Sequence, residues 1–369
     1  MSEKTHKSQR IAFWGVQSSF DFKHIGGTNA LCRRLTYELT KQGHCVTYVY
    51  FNSAETKTEQ LNGMTFKYNK DYHAALKHLQ GNFDHIVSLY IPRALRWNWQ
   101  QWGQKNKHVT KCHSFVQGWP DNPFKRLAGD IERRVLRPSG TVFCLSPRLH
   151  KKTLLMQNSR AALFLPPVPD IFFMKPRSKP TSTSLRINFM GRIDGGKGIK
   201  DVETFFDYVH QRRPDIKLGI YGYSWKEDEV LNSTEQRLSQ SSSFHYEPCH
   251  YDAYSAETDH SITKLYQETD ILFLPYRTLS TTIDTPLVLL EGLAHLCPVL
   301  GIAHGDMKTI YGSDKYFFDH SATLAQRFER LQELENHLDE ERLRIYSHIN
   351  TLGFRASQSA HAFLENIHK

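Results

Sequence analysis

The sequence predicts an α/β protein of two domains, each built on a doubly wound parallel sheet, that face a central cleft. Three observations predict this fold class. Strand-like apolar runs alternate with helix-like segments, and such strand–helix–strand units build parallel sheets. Residues 171–183, rich in Pro, Ser, Thr and Lys, interrupt the alternation, which then restarts. The length of 369 residues suits two domains of ordinary size.

The first half of the chain opens with a strand–loop–helix–strand unit. An apolar strand over residues 11–16 precedes a loop with Gly26 and Gly27, and a segment with leucines at helical spacing then runs until Gly43. The further strands predicted before the linker cover residues 45–51, 83–91, 109–117 and 141–147. We expect an acceptor-side domain over residues 1–176.

The second half repeats the pattern. Its predicted strands cover residues 184–193, 216–223, 271–276 and 298–303, and its predicted helices cover residues 201–214, 261–270 and 286–296. We expect a ligand-binding domain over residues 177–349. The chain is expected to be helical from about Glu335, with a C-terminal helix over residues 350–369 that packs back on the first domain.

The composition favours a cytoplasmic globular protein. Hydrophobic residues make up 39% of the chain and charged residues 23%. No apolar run reaches the roughly 18 residues that a membrane span needs, and the polar start predicts no signal peptide. The six cysteines lack paired spacing, so we expect neither a disulfide framework nor a zinc site.

Charge is distributed unevenly. Residues 1–180 carry 28 Lys and Arg against 11 Asp and Glu, whereas the remaining residues carry 19 against 27. This asymmetry indicates that the first half meets an anionic partner, for which nucleic acid, an anionic membrane surface and a phosphorylated lipid are the candidates.

The segment MGRIDGGKGIKD, residues 190–201, places glycines between a strand and a helix. Backbone N–H groups and a helix N-terminus favour an anion there, and Arg192 and Lys197 add two positive charges. The arrangement suits a diphosphate. A flexible turn with solvated cations is the alternative, and the segment does not match the P-loop pattern.

The segment DTPLVLLEGLAHLCPV, residues 284–299, places one carboxylate, Glu291, in an otherwise apolar helix. Asp284 or Thr285 is expected to cap this helix, with Pro286 as its first residue. Glu291 at a sheet edge can accept hydrogen bonds from the vicinal hydroxyls of a ribose. A helix-face glutamate that meets only water is the alternative.

Together the two segments resemble the retaining GT-B glycosyltransferases of the large family 4 group. GRIDGGKG and DTPLVLLEGLAHLCPV are the specific matches, while GIYGY, ILFLPYR and two N-terminal stretches, residues 25–50 and 141–155, extend the resemblance over nearly the whole chain.

The resemblance implies roles for particular residues. Arg192 and Lys197 are expected to stabilise the donor diphosphate and are the catalytic candidates. The donor-binding candidates are Gly26, Gly27, Gly191, Asp284, Thr285, Pro286, Leu287 and Glu291, with Glu291 holding the ribose. The co-substrate would be a nucleotide-diphosphate sugar, with no metal or other cofactor required.

Two positions depart from the family pattern. Ile283 stands where the family has a first glutamate, with Asp284 beside it, and Gln117 stands where the family often has a histidine before glycine, with His113 four residues earlier. We take His113 and Gln117 as candidate sugar or acceptor contacts. A protein that binds sugar nucleotides without transferring sugar, as a scaffold or regulator, is therefore kept as the alternative function.

The acceptor side combines aromatic and basic residues. Residues 93–108 hold three tryptophans among basic residues, and residues 124–138 carry an apolar stripe flanked by arginines. The stripe alone favours packing on the first sheet. With the charge of the first half, however, these segments favour a glycan or lipid-linked acceptor at an anionic membrane. We thus predict a cytoplasmic glycosyltransferase of surface-polysaccharide or glycoconjugate assembly, peripheral on the membrane, and no nucleic-acid binding.

Overall fold

The computed structural model describes most of the chain, in the following ranges: residues 8–19, 26–89, 91–118, 124, 127, 130–131, 139–157, 160–176, 184–223, 229–249, 256–278 and 283–368. The chain divides into two compact units. The first comprises Met1–Pro167 together with Phe354–Lys369, and the second comprises Val168–Gly353.

The first unit is an eight-stranded sheet with helices on it. Its strands follow the order β3-β4-β2-β1-β5-β6-β7-β8, and every pair is parallel except β3 with β4. The elements are β1 (Arg10–Val16), α1 (Gly27–Lys41), β2 (Cys45–Phe51), β3 (Lys57–Leu61), β4 (Met64–Tyr68), α2 (Tyr72–Leu79), β5 (His85–Ser88), α3 (Arg93–Asn106), β6 (Lys111–Val116), β7 (Val142–Cys144), α4 (Pro147–Gln157) and β8 (Ala161–Leu163).

The second unit is a six-stranded parallel sheet in the order β11-β10-β9-β12-β13-β14. Its elements are β9 (Arg186–Arg192), α5 (Ile199–Arg212), β10 (Lys217–Tyr223), α6 (Glu229–Ser239), β11 (His245–Pro248), α7 (Ala256–Gln267), β12 (Ile271–Leu274), α8 (Leu287–Ala294), β13 (Val299–Ile302), α9 (Met307–Tyr311), β14 (Phe317–Phe318), α10 (Leu324–Asn336) and α11 (Leu338–Leu352). Two α/β units with doubly wound parallel sheets confirm the predicted fold class.

The C-terminal helix, α12 (Ala356–His368), belongs to the first unit. The Phe363 ring stacks on Phe143 at 4.9 Å and on Phe13 at 6.5 Å, so the helix contributes to the first core. Gly353 separates it from α11 with a left-handed backbone, φ 65°, which glycine adopts without steric cost.

The tryptophans of α3 divide between core and surface. The Trp99 and Trp102 rings stack at 5.3 Å, and both pack against the core around Trp14. The Trp97 side chain is 54% exposed. Within the described residues, no helix is both long and apolar enough to cross a bilayer.

Candidate active site

The second sheet has a topological switch point between β9 and β12. The chain leaves β9 toward β10 and β11 on one side and returns to β12, β13 and β14 on the other. In open parallel sheets, ligands bind outside the carboxyl ends of the strands at such a point. The loops that follow β9, β12 and β13 therefore form the candidate site.

The loop after β9 holds both predicted catalytic cations. Gly191 has φ 144°, a backbone that favours glycine, and Arg192 ends the strand. The Asp194 side chain caps a short 3-10 turn by accepting a hydrogen bond from the Lys197 N–H at 2.9 Å. The other Asp194 oxygen forms an ion pair with the Arg192 guanidinium. Asp194 thus links the Arg192 guanidinium to the backbone of Lys197; this role was not predicted from the sequence, although an aspartate before a turn is a capping signal.

Lys197 lies in an environment that favours loss of its proton. Its Nζ sits 4.2 Å from the ring centroid of Tyr276, which follows β12. Burial, and then the charge of Arg192, lower the pKa of Lys197 to about 7, while Asp194 opposes the shift. An anionic ligand would restore the charge of this lysine, because an opposite charge favours the protonated form.

The loops after β9 and β12 are joined through the backbone. The Arg277 N–H donates to the Gly196 carbonyl at 2.9 Å. Gly198 has φ 78°, and a Cβ at this position would lie 2.0 Å from the Pro275 carbonyl oxygen. The Arg277 guanidinium also forms two 2.5 Å hydrogen bonds with Asp201 on α5. These contacts fix the loop that follows β9, residues 193–198, before any ligand binds. We call this loop, together with Arg192 at the end of β9, the cation loop.

The segment before α8 differs from the sequence prediction. Pro286 is the residue preceding the helix rather than its first residue, Leu287 begins the helix, and no side chain caps it. The capping roles expected of Asp284 and Thr285 are therefore wrong. Both residues are fully buried, and the Asp284 carbonyl accepts a hydrogen bond from the Asp306 N–H at 3.2 Å. The backbone at Asp284 is thus bound to the loop after β13 and does not cap α8.

Glu291 has a polar partner inside the protein. Its side chain is 6% exposed, and the Tyr266 hydroxyl donates a 2.9 Å hydrogen bond to Glu291 Oε2. The interpretation of Glu291 as a solvated helix-face residue is wrong. Tyr266 stands 25 residues earlier on α7, so the spacing within the Glu291 segment gave no sign of this partner.

Tyr276 connects the parts of the site. Its ring contacts Lys197 and meets His304 edge-on at 5.8 Å. Gly305, beside His304, packs against the Asp284 carbonyl. Contacts of Tyr276 and of His304 with Gly305 therefore connect the loop after β9 with Asp284 and the loop after β13.

The first unit brings three of the remaining candidates, Gly26, Gly27 and Gln117, together. Gly26 precedes α1 with an extended backbone, φ 171°, and Gly27 is the first helical residue. The Thr28 hydroxyl donates a 2.7 Å hydrogen bond to the Gln117 side-chain oxygen. The glycine turn and Gln117 thus lie side by side at the carboxyl ends of β1 and β6.

His113 lies in the interior, where it is fully buried. Its Nδ1 accepts a hydrogen bond from the Thr141 N–H at 2.9 Å, so Nε2 carries the proton and donates to His85 Nδ1 at 3.1 Å. Burial lowers the pKa of His113 well below its usual value. The expected sugar or acceptor contact of His113 is replaced by this core hydrogen-bonding role.

The apolar stripe of residues 124–138 does not pack as expected. Phe124, Leu127 and Ile131 are helical and 82%, 61% and 56% exposed. The prediction that the stripe packs on the first sheet is wrong for these three residues, while the rest of the stripe lies outside the described residues.

A metal site has no basis in the described part of the chain. There, no three His, Cys, Asp or Glu side chains gather closely enough to hold a metal ion. The expectation that catalysis needs no metal nonetheless stays a prediction.

Comparison with known proteins bears on the family of the second unit. Residues 170–347 match the family model described as glycosyl transferases group 1, which confirms the resemblance drawn from the two segments. The comparison with curated protein sequences finds no match.

Solved structures share the fold across the whole chain. A sucrose-phosphate synthase from Thermosynechococcus elongatus has a TM-score of 0.68 at 13% identity, covering 97% of this chain and 98% of that chain. A glycosyltransferase from Rickettsia africae has the same TM-score and identity, covering 98% of each chain. Anabaena HepE in complex with UDP and glucose has a TM-score of 0.65 at 10% identity, covering 97% and 98%. The chain accordingly has the GT-B fold, and its second unit matches the group 1 glycosyltransferases.

Proposed function

We propose that the protein transfers a sugar from a nucleotide-diphosphate donor to a glycan or lipid-linked acceptor, with retention of the anomeric configuration. The observation that carries the proposal is the pair of cations, Arg192 and Lys197, around the loop that follows β9 at the switch point of the second sheet, together with the buried carboxylate of Glu291 on α8, the helix after β12. Two cations suit a diphosphate, and a carboxylate suits the ribose hydroxyls. Structures similar to this chain were solved with UDP or UDP-glucose, which supports a UDP-sugar as the first donor to test.

The proposed chemistry needs no enzyme nucleophile. The bond from the anomeric carbon to the departing phosphate oxygen breaks, and the acceptor hydroxyl oxygen bonds to the same carbon from the same face. The acceptor proton passes to the leaving phosphate. Arg192 and Lys197 stabilise the negative charge that grows on the diphosphate, which is the work a metal ion does elsewhere.

The test is the release of nucleotide diphosphate from UDP-, GDP- and ADP-sugars, followed with and without a membrane extract as the acceptor source. Release above the uncatalysed background, lost in Arg192→Ala, supports the proposal. A donor that binds without turnover would instead favour the scaffold or regulator, the alternative that the Ile283 and Gln117 departures support.

We further propose that the first unit contacts an anionic membrane and works in surface-polysaccharide or glycoconjugate assembly on its cytoplasmic face. Three large apolar side chains, Phe124, Leu127 and Ile131, are exposed at helical spacing within a basic stretch of sequence. Apolar side chains enter the headgroup boundary, and each nearby Lys or Arg adds about 1 kcal/mol of attraction to anionic lipid.

This contact predicts co-sedimentation with vesicles of phosphatidylcholine and phosphatidylglycerol, weakened by salt and by omission of the anionic lipid. The double variant Phe124→Glu, Leu127→Glu is expected to lose sedimentation. Leu343→Glu is the matched control, because Leu343 is 56% exposed on α11 of the acidic second half. Equal losses in both variants, or none in the double variant, would contradict the proposal.

A further inference from the structure

We propose that Tyr266 is a positioning residue for ribose recognition, whose hydroxyl holds the Glu291 carboxylate so that the site discriminates ribonucleotides from 2′-deoxyribonucleotides. The inference rests on the proposed nucleotide site and adds the basis of its sugar specificity. No part of the sequence pattern pointed to Tyr266.

The hydrogen bond leaves the carboxylate able to bind a ligand. The Tyr266 hydroxyl donates to Oε2 of Glu291 at 2.9 Å, and both residues are buried. An ionised carboxylate has about four acceptor positions, so the bond from Tyr266 occupies one of them and is compatible with a ligand hydroxyl at another. A glutamate side chain has three rotatable bonds, and a bond from a rigid ring removes most of that freedom before the ligand arrives.

The Tyr266 ring is itself held in place. His295 stacks on it at 4.8 Å with an interplanar angle of 14°, and Phe172 packs on His295 at 4.8 Å. His295 Nδ1 lies 2.9 Å from the Glu291 carbonyl oxygen and therefore donates to it. The same histidine thus orients the tyrosine ring and binds the backbone of the glutamate.

The hydroxyl stays a donor throughout the accessible pH range. Burial, and then the negative charge of Glu291, raise the pKa of Tyr266 well above its usual value. Tyr266 therefore remains protonated and directs its hydrogen toward the carboxylate.

The second unit offers a matched pair for comparison. The Tyr311 hydroxyl donates a 2.7 Å hydrogen bond to Glu341 Oε1, and both residues are buried. Glu341 also pairs with Arg344 at 2.7 Å on α11. Tyr311→Phe removes the same kind of buried bond as Tyr266→Phe but leaves the Glu291 carboxylate untouched.

The experiment measures dissociation constants of UDP, GDP and ADP and of their 2′-deoxy counterparts for wild type, Tyr266→Phe and Tyr311→Phe. Wild type is expected to prefer one ribonucleotide over its 2′-deoxy form. Tyr266→Phe should reduce that ratio by about fivefold, the equivalent of one ordinary hydrogen bond. Tyr311→Phe should lower the melting temperature while keeping the wild-type ratio.

The outcomes distinguish a failure of the Tyr266 role from a failure of the proposed nucleotide site. A wild-type ratio retained in Tyr266→Phe, or an equal fall in Tyr311→Phe, would overturn the role of Tyr266 and leave the nucleotide site standing. Wild type that binds none of the nucleotides would overturn the proposed function, and the ribose role with it.

Discussion

Replacing Lys197 with alanine is expected to lower the rate of donor turnover by about a hundred- to a thousandfold, the usual effect of removing one preorganised charge-stabilising group. The Asp194 cap holds the backbone of Lys197, and the Lys197 ammonium lies against the Tyr276 ring, so the side chain is placed before a ligand binds. The measurement is the steady-state release of nucleotide diphosphate. An alanine variant within threefold of wild type would remove Lys197 from the proposed catalytic machinery.

Because the pKa of Lys197 is lowered, we also expect the affinity for a nucleotide sugar to depend on pH. Because the pKa in the free protein is about 7, the charged form that binds an anion is lost as pH rises through that value. Linkage then predicts about tenfold weaker binding of a nucleotide sugar at pH 8 than at pH 6. Both phosphates of such a donor stay ionised over this range, so the change comes from the protein.

A control variant tests whether Lys197 causes this pH dependence of binding. Lys197→Arg keeps a positive charge at every accessible pH and is expected to flatten the dependence. The charged or titratable groups that face Lys197 are Arg192 and Asp194 on its own loop and Tyr276 from the loop after β12, and His304 faces Tyr276 in turn. A dependence that persists in Lys197→Arg would contradict its assignment to Lys197.

Among the substitutions proposed here, Gly198→Ala is expected to lower the free energy of unfolding the most. Gly198 has a left-handed backbone, and an added Cβ would lie 2.0 Å from the Pro275 carbonyl, a backbone atom that cannot move without displacing the loop after β12. The left-handed conformation costs an alanine about 1–2 kcal/mol, and the steric overlap adds about 1–3 kcal/mol. We expect a fall in the melting temperature of roughly 5 to 15 °C.

Gly353→Ala separates the two causes. Gly353 is also left-handed, with φ 65°, but among the described residues other than its chain neighbours no atom lies within 4 Å of an added Cβ. This variant should therefore show the backbone cost alone, without the overlap. Equal losses of melting temperature in the two variants would contradict the close approach of the loops after β9 and β12.

Local patterns predicted the fold and the cation loop well. The strand, glycines and cations around Arg192 lie within one short segment, so their spacing sufficed. The β3–β4 hairpin was missed because β3 is mostly exposed and lacks an apolar alternation. Its turn still carried a signal, because Asn62 and Gly63 both have positive φ, and Asn-Gly is the preferred pair for such a hairpin.

Contacts between residues that are distant in the sequence could not be predicted from local sequence patterns. The burial of Glu291 depends on Tyr266 on α7, and the interior position of His113 depends on His85 and Thr141 on neighbouring strands. The start of α8 was misjudged by one residue because Asp284 bonds to the loop after β13 rather than to the helix. In each case the partner comes from another element, which no pattern within one segment can show.

Calorimetric titration of wild type and Glu291→Ala with UDP, GDP and ADP tests the nucleotide site most directly. We expect one nucleotide to bind wild type and Glu291→Ala to weaken that binding at least tenfold, because the ribose hydroxyls lose a charged acceptor. At a hundred times its dissociation constant the ligand should also stabilise wild type by about 2.7 kcal/mol. Wild type that binds none of the three, or equal binding by Glu291→Ala, would contradict a nucleotide site at the switch point of the second sheet.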